Sequence, residues 1–221
     1  MYIPKAYKEE DWQQVEFLIK KYPLATVVTY TEDEGVIANH FPFFLKVDES
    51  TGKKYLHAHI AKVNPQIPSL KKADSVLVIF QSANTYVTPS YYPTKKETHK
   101  FVPTWDFASV HIKGQAEVLD DFDFIRTQIT NLTNQQEDGR EDPWKVEDAP
   151  EKYLSLKQKA IIGLKIEITG YDAKYKFERG MSKKDIGGVI DGLAKDGLDE
   201  LSELTKTSND RYDTKKAAKS G

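Results

Sequence analysis

The amino-acid sequence predicts a mostly β, α+β fold, in which antiparallel strands form a closed or partly closed barrel with helices at its edges. Short β-branched runs follow one another through polar turns, as hairpins do, and few helical segments separate them. A chain of 221 residues in this order is too short for a repeating βαβ array. We therefore expect a single barrel domain with peripheral helices.

The first elements establish this hairpin pattern. Residues 11–21 place apolar side chains at helical spacing, and Pro23 ends that predicted helix. The β-branched run 24–30 is followed by a polar turn, which makes residues 36–46 the predicted return strand. Pro42 lies within this return strand and has no N–H to donate. We therefore expect the strand to be at an edge, bulged or split.

The remaining strands and helices complete the predicted barrel. Residues 75–81 are apolar on both faces and are predicted to form a central strand. Gly114 marks a bulge or a close approach within a long predicted strand. Further strands are predicted at residues 55–60, 85–88, 106–119, 161–169 and 171–177. Helices are predicted at residues 122–132 and 151–159. The first of these helices should face the core with Phe122, Ile125, Ile129 and Leu132.

The composition changes after residue 180, and this change sets the predicted domain boundaries. Residues 1–180 form the barrel domain. Residues 181–204 form a broken helical arm, because four glycines each cost a helix about 1 kcal/mol relative to alanine. Residues 205–221 have almost no apolar side chains and are expected to be disordered.

The bulk composition limits the possible partners and compartments. There are 32 Lys and Arg residues against 34 Asp and Glu, so no overall basic excess favours nucleic acid. Cysteine is absent, which removes disulfides and thiolate chemistry and fits a reducing compartment. No signal-peptide pattern or membrane-spanning apolar run is present. We expect a soluble, cytoplasmic protein, with the nucleus also open if the cell is eukaryotic.

The segment from His57 to Gln66 carries the strongest chemical signal. It begins with the alternation of a strand and passes through Lys62 into Asn64-Pro65, which resembles an N-cap followed by the first residue of a helix. The free N–H groups of a first helical turn and an adjacent lysine favour an anion, most naturally a phosphate. An ordinary strand-to-helix connection with a solvated lysine would give the same pattern.

Two histidines lie on one face of the predicted strand before this turn. His57 and His59 share that face because strand side chains alternate. A zinc or iron site would need a third ligand such as His40 or His111, and no spacing links these residues, so no metal is expected. The two histidines either hydrogen-bond within the barrel or line the pocket of an organic ligand.

Other classes of site lack their motifs. Ser90, Thr104 and Ser109 have no activating context for a nucleophile, and the glycine-rich loops of dinucleotide-binding domains and P-loop NTPases are absent. No helix-turn-helix is evident, and the lysine pairs are interpreted as solvated. An aromatic, proline-punctuated stretch at residues 89–105 is typical of a wall or lid, although such loops more often pack on their own domain or a second subunit.

Several separated motifs occur in a distinctive order. They are Met1-Tyr2-Ile3-Pro4, Ala38-Asn39-His40-Phe41-Pro42, the 57–66 segment, Tyr86-Val87-Thr88-Pro89-Ser90-Tyr91-Tyr92, Val102-Pro103-Thr104-Trp105-Asp106-Phe107 and Val110-His111. Together they resemble the PaiB-type family, described as FMN-binding split-barrel negative transcriptional regulators. The resemblance runs from Met1 to about Leu193.

This resemblance implies a six-stranded antiparallel split β-barrel related to pyridoxamine-phosphate oxidases, and a homodimer that holds FMN at its interface. It places the flavin phosphate at the segment that the residues themselves suggest as an anion site. The implied cofactor-binding residues are Asn39, His40, His57, His59, Ile60, Ala61, Lys62, Asn64, Gln66, Ser90, Tyr92 and Trp105. Trp105 and the loop at residues 90–92 would close the pocket from either subunit.

Two functions fit this resemblance. One is a flavin-dependent oxidoreductase, for which the sequence identifies no catalytic acid or base. The other is a flavin-responsive transcriptional regulator or a binding module without catalytic activity. Charge gives no support for direct contact with DNA, and haem in place of flavin stays open. The family usually carries Lys-Leu-Ser-Gln-Asn after its last barrel strand, whereas this chain has Lys176-Phe177-Glu178-Arg179-Gly180.

Overall fold

The computed structural model describes residues 1–218, and this part of the chain contains nine strands and seven α-helices. The strands are β1 (Lys8–Glu9), β2 (Leu24–Thr31), β3 (Gly35–Pro42), β4 (Phe44–Val47), β5 (Lys54–Ala61), β6 (Val76–Gln81), β7 (Thr85–Val87), β8 (Thr104–Leu119) and β9 (Ile161–Lys176). The helices are α1 (Trp12–Lys21), α2 (Ile67–Lys72), α3 (Lys95–Thr98), α4 (Phe122–Glu137), α5 (Glu151–Gln158), α6 (Lys183–Lys195) and α7 (Asp199–Ala218).

The strands form one open sheet in the order β3-β2-β6-β8-β9-β5-β4, with β1 on β9 and β7 on β8. The pairs β2·β3, β2·β6, β4·β5 and β5·β9 are all antiparallel. Among the described residues, β1, β4 and β7 are short, and the other six strands each have at least six residues. The predicted antiparallel split barrel with flanking helices is therefore confirmed.

The proline in the second predicted strand has the expected effect. The run 36–46 is split into β3 and β4, and β3 ends at Pro42 on one edge of the strand order. Edge strands tolerate proline because its missing N–H is not needed by a second neighbour. The strand β6 lies between β2 and β8, as its apolar faces predict.

The described chain divides into two compact units. Unit 1 contains residues 1–12, 81–109 and the chain from Ala173 onward, and unit 2 contains residues 13–80 and 110–172. The helices α6 and α7 thus belong to the same unit as the N-terminal residues, which differs from the expected boundaries at 180 and 204. The strands β8 and β9 each contribute residues to both units.

The core of unit 2 follows the apolar pattern of the sequence. Val15, Leu18 and Ile19 of α1 are buried, as are alternating residues of the strands. Gly114 is a close approach, since a Cβ at this position would collide with the Ile166 side chain and lie 2.6 Å from the Glu167 carbonyl oxygen. In α4 the predicted core stripe is only partly correct: Ile125 is buried, Phe122 is exposed, and the polar Gln128 is buried.

The C-terminal helices of unit 1 differ from the expectation. The predicted break is present, with Gly197 at φ +78° between α6 and α7. Disorder was expected from residue 205, whereas α7 continues to Ala218 and residues 219–221 lie outside the described part of the chain. The helix forms because its inner face buries small polar residues that have partners, such as Asn209, whose Nδ2 donates to the Phe177 carbonyl oxygen over 2.7 Å. No helix among residues 1–218 combines the length and apolar character needed to cross a membrane.

Candidate functional site

Gln66 anchors the predicted phosphate segment in unit 2. Its side chain is fully buried, and its Nε2 donates to the Val27 carbonyl oxygen over 3.0 Å and to the Thr29 hydroxyl over 3.1 Å. Its Oε1 accepts a hydrogen bond from Asn39 Nδ2 over 3.1 Å. The Gln66 amide therefore hydrogen-bonds to strands β2 and β3. We interpret Gln66 as a residue that positions the turn before it.

The turn itself differs from the predicted helix start. The helix α2 begins at Ile67 with Gln66 as its N-cap, so Asn64 and Pro65 precede the helix. Asn64 Oδ1 accepts from the Gln66 N–H over 2.9 Å, and the Ile67 N–H donates to the Asn64 carbonyl oxygen over 3.2 Å. These N–H groups are already used, and α2 has only six residues. The helix therefore starts two residues later than predicted, and the anion site expected at this turn stays a prediction.

Lys62 lies on an exposed turn in which Val63 is 91% exposed. The ammonium of Lys62 forms an ion pair with Asp120 over 2.7 Å, and these side chains are 36% and 67% exposed. Its backbone N–H is fixed by the Ala160 carbonyl oxygen at 2.9 Å. The backbone of this turn is thus held by a hydrogen bond, whereas the Lys62 ammonium pairs with a carboxylate that is exposed to solvent.

The remaining predicted residues of unit 2 differ in accessibility. His40 is exposed on the edge strand β3, and Ala61 is exposed at the end of β5. Ile60 is buried in the core. Asn39 is half-buried, and its Nδ2 donates to Gln66 Oε1. It therefore supports the turn, and its remaining exposed surface could contact a ligand.

The two histidines of β5 face α4. His59 Nδ1 lies 2.7 Å from Gln128 Oε1, which matches the first alternative from the sequence, a hydrogen bond within the fold. The His57 ring packs on Phe124 with 4.9 Å between ring centroids, and its Nε2 is buried without a hydrogen-bond partner. Burial, with the charges of Lys165 and Lys46, lowers the pKa of His57 to about 4. His57 is therefore neutral at physiological pH.

A cleft of about 550 Å³ opens beside His57 in unit 2. Its lining includes the cations Lys46 and Lys165 together with Tyr55. Lys165 Nζ lies 3.0 Å from Glu117 Oε2 and 5.1 Å from the centroid of the Tyr55 ring. The lining also includes the carboxylates Asp48 and Glu49, so the cleft carries charges of both signs and is partly aromatic, a composition that the sequence alone did not bring together.

Ser90, Tyr92 and Trp105 belong to unit 1. Ser90 is exposed, and its N–H donates to the Thr88 hydroxyl over 3.2 Å. Tyr92 is buried and stacks on Phe101 with 4.7 Å between centroids. Trp105 is 51% exposed, and its Nε1 donates to Asn84 Oδ1 over 2.9 Å. Trp105 and Ser90 are available at the surface, whereas Tyr92 packs within its own unit.

Sequence reasoning missed two polar residues that shape this region, Asp120 and Gln128. Asp120 directly precedes Asp121, which caps α4 by accepting from the Phe124 N–H over 2.8 Å. Gln128 lies one helical turn after Phe124, on the face that meets β5. Its spacing from buried Ile125 was the available signal.

The open antiparallel split barrel with flanking helices defines the class of protein as the FMN-binding split-barrel fold. Residues 1–170 match the family model described as "Putative FMN-binding domain", and the chain belongs to this family. This confirms the resemblance drawn from the sequence motifs.

Two relatives extend the family assignment. An uncharacterized protein of Saccharomyces cerevisiae is 34% identical over 171 residues, covering 69% of this chain and 100% of that protein. The Bacillus subtilis protein named protease synthase and sporulation protein PAI 2 is 29% identical over 212 residues, covering 96% of this chain and 98% of that protein.

Solved structures agree on the fold. A FAD- and haem-binding protein of Mycobacterium smegmatis has a TM-score of 0.57 at 19% identity, covering 82% of this chain and 79% of that one. The flavocytochrome Anf3 of Azotobacter vinelandii has a TM-score of 0.56 at 14% identity, covering 84% of this chain and 78% of that one.

Proposed function

We propose that this protein binds FMN, acts as a homodimer, and uses the flavin for oxidation or reduction of a small substrate. The observation that supports this most strongly is the family match over residues 1–170. The names of the structural neighbours, a flavocytochrome and a FAD- and haem-binding protein, favour a redox cofactor on this fold. They also make haem a competing ligand to be measured.

The chemistry of the Lys62 turn fits a phosphate group. The phosphate of FMN carries about 1.5 to 2 negative charges at pH 7, whereas Asp120 carries one and is 67% exposed. Exposed ion pairs contribute about 0–1 kcal/mol, so replacing the Asp120 carboxylate with a phosphate costs little free energy. The buried amide of Gln66 holds the turn in place before the ligand arrives. Such preorganisation lowers the cost of binding.

Other residues of the proposed site would act on the rest of the cofactor. In unit 2, His40 on β3 and Ala61 at the end of β5 are exposed. His57 is neutral, so it would offer hydrogen bonding without a charge. When bound, FMN supplies electron and hydride transfer, and the protein supplies binding and orientation.

The first test is the absorbance spectrum of protein purified without added cofactor. A flavin spectrum and release of FMN on denaturation are expected. A Soret band would identify haem instead. Failure to bind FMN added at about micromolar concentration would exclude this function, since family cofactors at specific sites bind in or below that range.

The second test is Lys62→Ala. It removes one charge-assisted contact, worth about 1.5–3 kcal/mol, so FMN should bind about ten- to a hundredfold more weakly. Riboflavin lacks the phosphate and should bind the variant and the wild type alike. The melting temperature of the apoprotein should stay nearly unchanged, because only an exposed ion pair is lost.

A matched control is Lys72→Ala. Lys72 is another exposed lysine of unit 2, paired with Asp33 over 2.8 Å. Its removal should leave FMN affinity unchanged. Equal losses for FMN and riboflavin in Lys62→Ala would show that Lys62 does not read the phosphate.

The name of the Bacillus relative refers to protease synthesis and sporulation, and this supports a regulatory alternative. In that case flavin would control association with DNA or a protein partner. A mobility-shift assay on duplex DNA with and without FMN, repeated at raised salt, tests this alternative. Sedimentation at several protein concentrations tests the homodimer.

A further inference from the structure

The cleft beside His57 in unit 2 has a floor made of four side chains from three strands. Lys46 of β4 pairs directly with Tyr55 of β5, and His57 of β5 pairs directly with Lys165 of β9. Directly paired residues share a face of the sheet, and Tyr55 and His57 are two residues apart on one strand. The register therefore brings all four side chains to one face, where they line a space of about 550 Å³. A space of this size holds a small organic molecule.

The charges of the cleft are divided between its floor and its rim. The floor carries the exposed Lys46 and Lys165, and Lys165 Nζ lies 3.0 Å from Glu117 Oε2 on β8. The rim is the turn after β4, where Asp48 and Glu49 belong to the lining. Two lysines and two carboxylates therefore line the same space. A ligand that carries both a carboxylate and an ammonium complements this arrangement better than a simple anion or a simple cation does.

The two carboxylates of the rim differ in how much of their bonding capacity the turn uses. Asp48 Oδ1 accepts from the Ser50 N–H over 2.9 Å, from the Ser50 hydroxyl over 2.6 Å and from the Thr51 N–H over 3.2 Å. The Asp48 N–H in turn donates to the Lys53 carbonyl oxygen over 2.8 Å. Asp48 therefore builds the turn, whereas Glu49 is exposed on it. A turn that is fixed in this way presents Glu49 to a ligand at a lower cost in entropy.

The floor also offers two rings and one unused polar atom. Tyr55 and His57 are half-buried, with 6.2 Å between their ring centroids. Such rings attract a further aromatic ring in an offset or edge-to-face arrangement. His57 Nε2 is buried and has no hydrogen-bond partner within residues 1–218. A buried polar atom without a partner is uncommon in a native fold and indicates a group that is bound there in solution.

We propose that this cleft binds a small zwitterion that carries an aromatic ring, the chemistry of a free aromatic amino acid. Its carboxylate lies toward Lys46 and Lys165, its ammonium lies toward Glu49, and its ring lies against Tyr55 and His57. The inference concerns unit 2 alone and does not depend on flavin binding. His57 is also among the predicted flavin contacts, so competition with FMN decides whether the cleft is a separate site.

The main experiment is a titration of the protein with L-phenylalanine, followed by the NMR signals of the histidine rings. The ring signals of His57, assigned by their loss in His57→Gln, should shift with half-saturation at or below about 1 mM. His59 is an internal reference, because it hydrogen-bonds to Gln128 and lies outside the lining, and its signals should move much less. The same half-saturation is expected when FMN is present in excess.

Two variants and two fragments of the probe separate the charges. Lys46→Gln should weaken binding of L-phenylalanine and of 3-phenylpropanoate, which lacks the ammonium, by about threefold to tenfold. Glu49→Gln should weaken L-phenylalanine and 2-phenylethylamine, which lacks the carboxylate, by a similar factor. Both positions are exposed, so both variants should fold. The controls Lys71→Gln and Glu32→Gln change exposed residues of unit 2 outside the lining and should bind as the wild type does.

Each contrary result identifies the part of the proposal that fails. Absence of a His57 shift at about 10 mM L-phenylalanine, or equal binding by Lys46→Gln and Lys71→Gln, would overturn the cleft as a binding site. A loss in Lys46→Gln with no loss in Glu49→Gln would show a simple anion site and overturn the zwitterion. Displacement of L-phenylalanine by FMN would show that the cleft belongs to the flavin site. Failure of the protein to bind FMN would leave the expected L-phenylalanine results unchanged.

Discussion

Two ion pairs of nearly equal length differ in burial, and this difference determines how much breaking each pair should affect stability. Lys62 and Asp120 in unit 2 are 2.7 Å apart with side chains 36% and 67% exposed. Arg179 and Glu9 in unit 1 are 2.8 Å apart with side chains 2% and 3% exposed. The exposed pair can be broken by solvent or by a ligand at small cost. The buried pair cannot be broken without leaving an uncompensated charge in the interior.

The buried pair is part of a larger network that ties the N-terminal strand β1 to helix α7. Arg179 Nε donates to the Ser208 hydroxyl over 2.8 Å, and Lys215 Nζ donates to Glu9 Oε1 over 2.6 Å. Burial alone would raise the pKa of Glu9, but the hydrogen bonds from Lys215 and Arg179 outweigh it and lower that pKa. Glu9 is thus paired with both Arg179 and Lys215, and such pairing is the condition for a tolerable buried ion pair.

The largest expected effect is that of Arg179→Ala. It removes one of the two cations paired with buried Glu9 and the donor to Ser208, so the free energy of unfolding should fall by about 3–5 kcal/mol. Urea denaturation measures this loss. The control Lys184→Ala breaks an exposed pair with Glu97, whose side chains are 59% and 58% exposed, and should cost less than about 1 kcal/mol.

The Arg179 variant also has a predictable pH dependence. Because the folded pKa of Glu9 is lowered, the network stabilises the protein above the ordinary Glu pKa of 4.5 and loses this contribution as pH falls below it. In Arg179→Ala, the free energy of unfolding should therefore fall less than in the wild type as the pH drops below 4.5. Equal costs for Arg179→Ala and Lys184→Ala would contradict the distinction between buried and exposed pairs.

The next effect in size concerns Gln66, which is buried but belongs to the proposed binding segment. Gln66→Leu keeps the volume but leaves Val27, Thr29 and Asn39 without a partner, so the free energy of unfolding should fall by about 1–3 kcal/mol. FMN affinity should fall as well, because the Lys62 turn loses its anchor. Calorimetry of unfolding and of FMN binding measures both.

The control for Gln66→Leu is Gln136→Leu, at an exposed position of α4, which should change neither quantity. A loss of FMN affinity without a loss of stability would mean that Gln66 contacts the ligand directly. In that case its interpretation as a positioning residue would be wrong.

Much of the barrel could be predicted because its signals are local. Alternating apolar residues and Pro42 gave the strands and the edge, and the apolar run of β6 gave its central place. The continuation of α7 past residue 205 could not be predicted, since its inner face is polar and its partners, such as Phe177, are distant in sequence.

The predicted helix start near the candidate site is wrong by two residues, whereas the binding residues themselves stay a prediction. The pattern at Asn64-Pro65 suggested a helix N-terminus, but Asn64 instead accepts from the Gln66 N–H, so the helix begins at Ile67. Local propensity cannot distinguish an N-cap from a turn two residues earlier, because both use the same side-chain acceptor. Pairing of Lys62 with Asp120 depends on residues 58 positions apart and had no sequence signal.

The smallest expected effect tests the exposed pair from its acidic side. If phosphate replaces Asp120 as the partner of Lys62, the carboxylate competes with the ligand, and Asp120→Asn should tighten FMN binding. An exposed pair of this kind is worth about 0.2–1 kcal/mol, so the expected gain is about 1.4-fold to fivefold. Riboflavin affinity should not change, and the gain should vanish when Lys62→Ala is also present. Unchanged FMN affinity in Asp120→Asn, or a gain that persists without Lys62, would show that the phosphate does not take the place of Asp120.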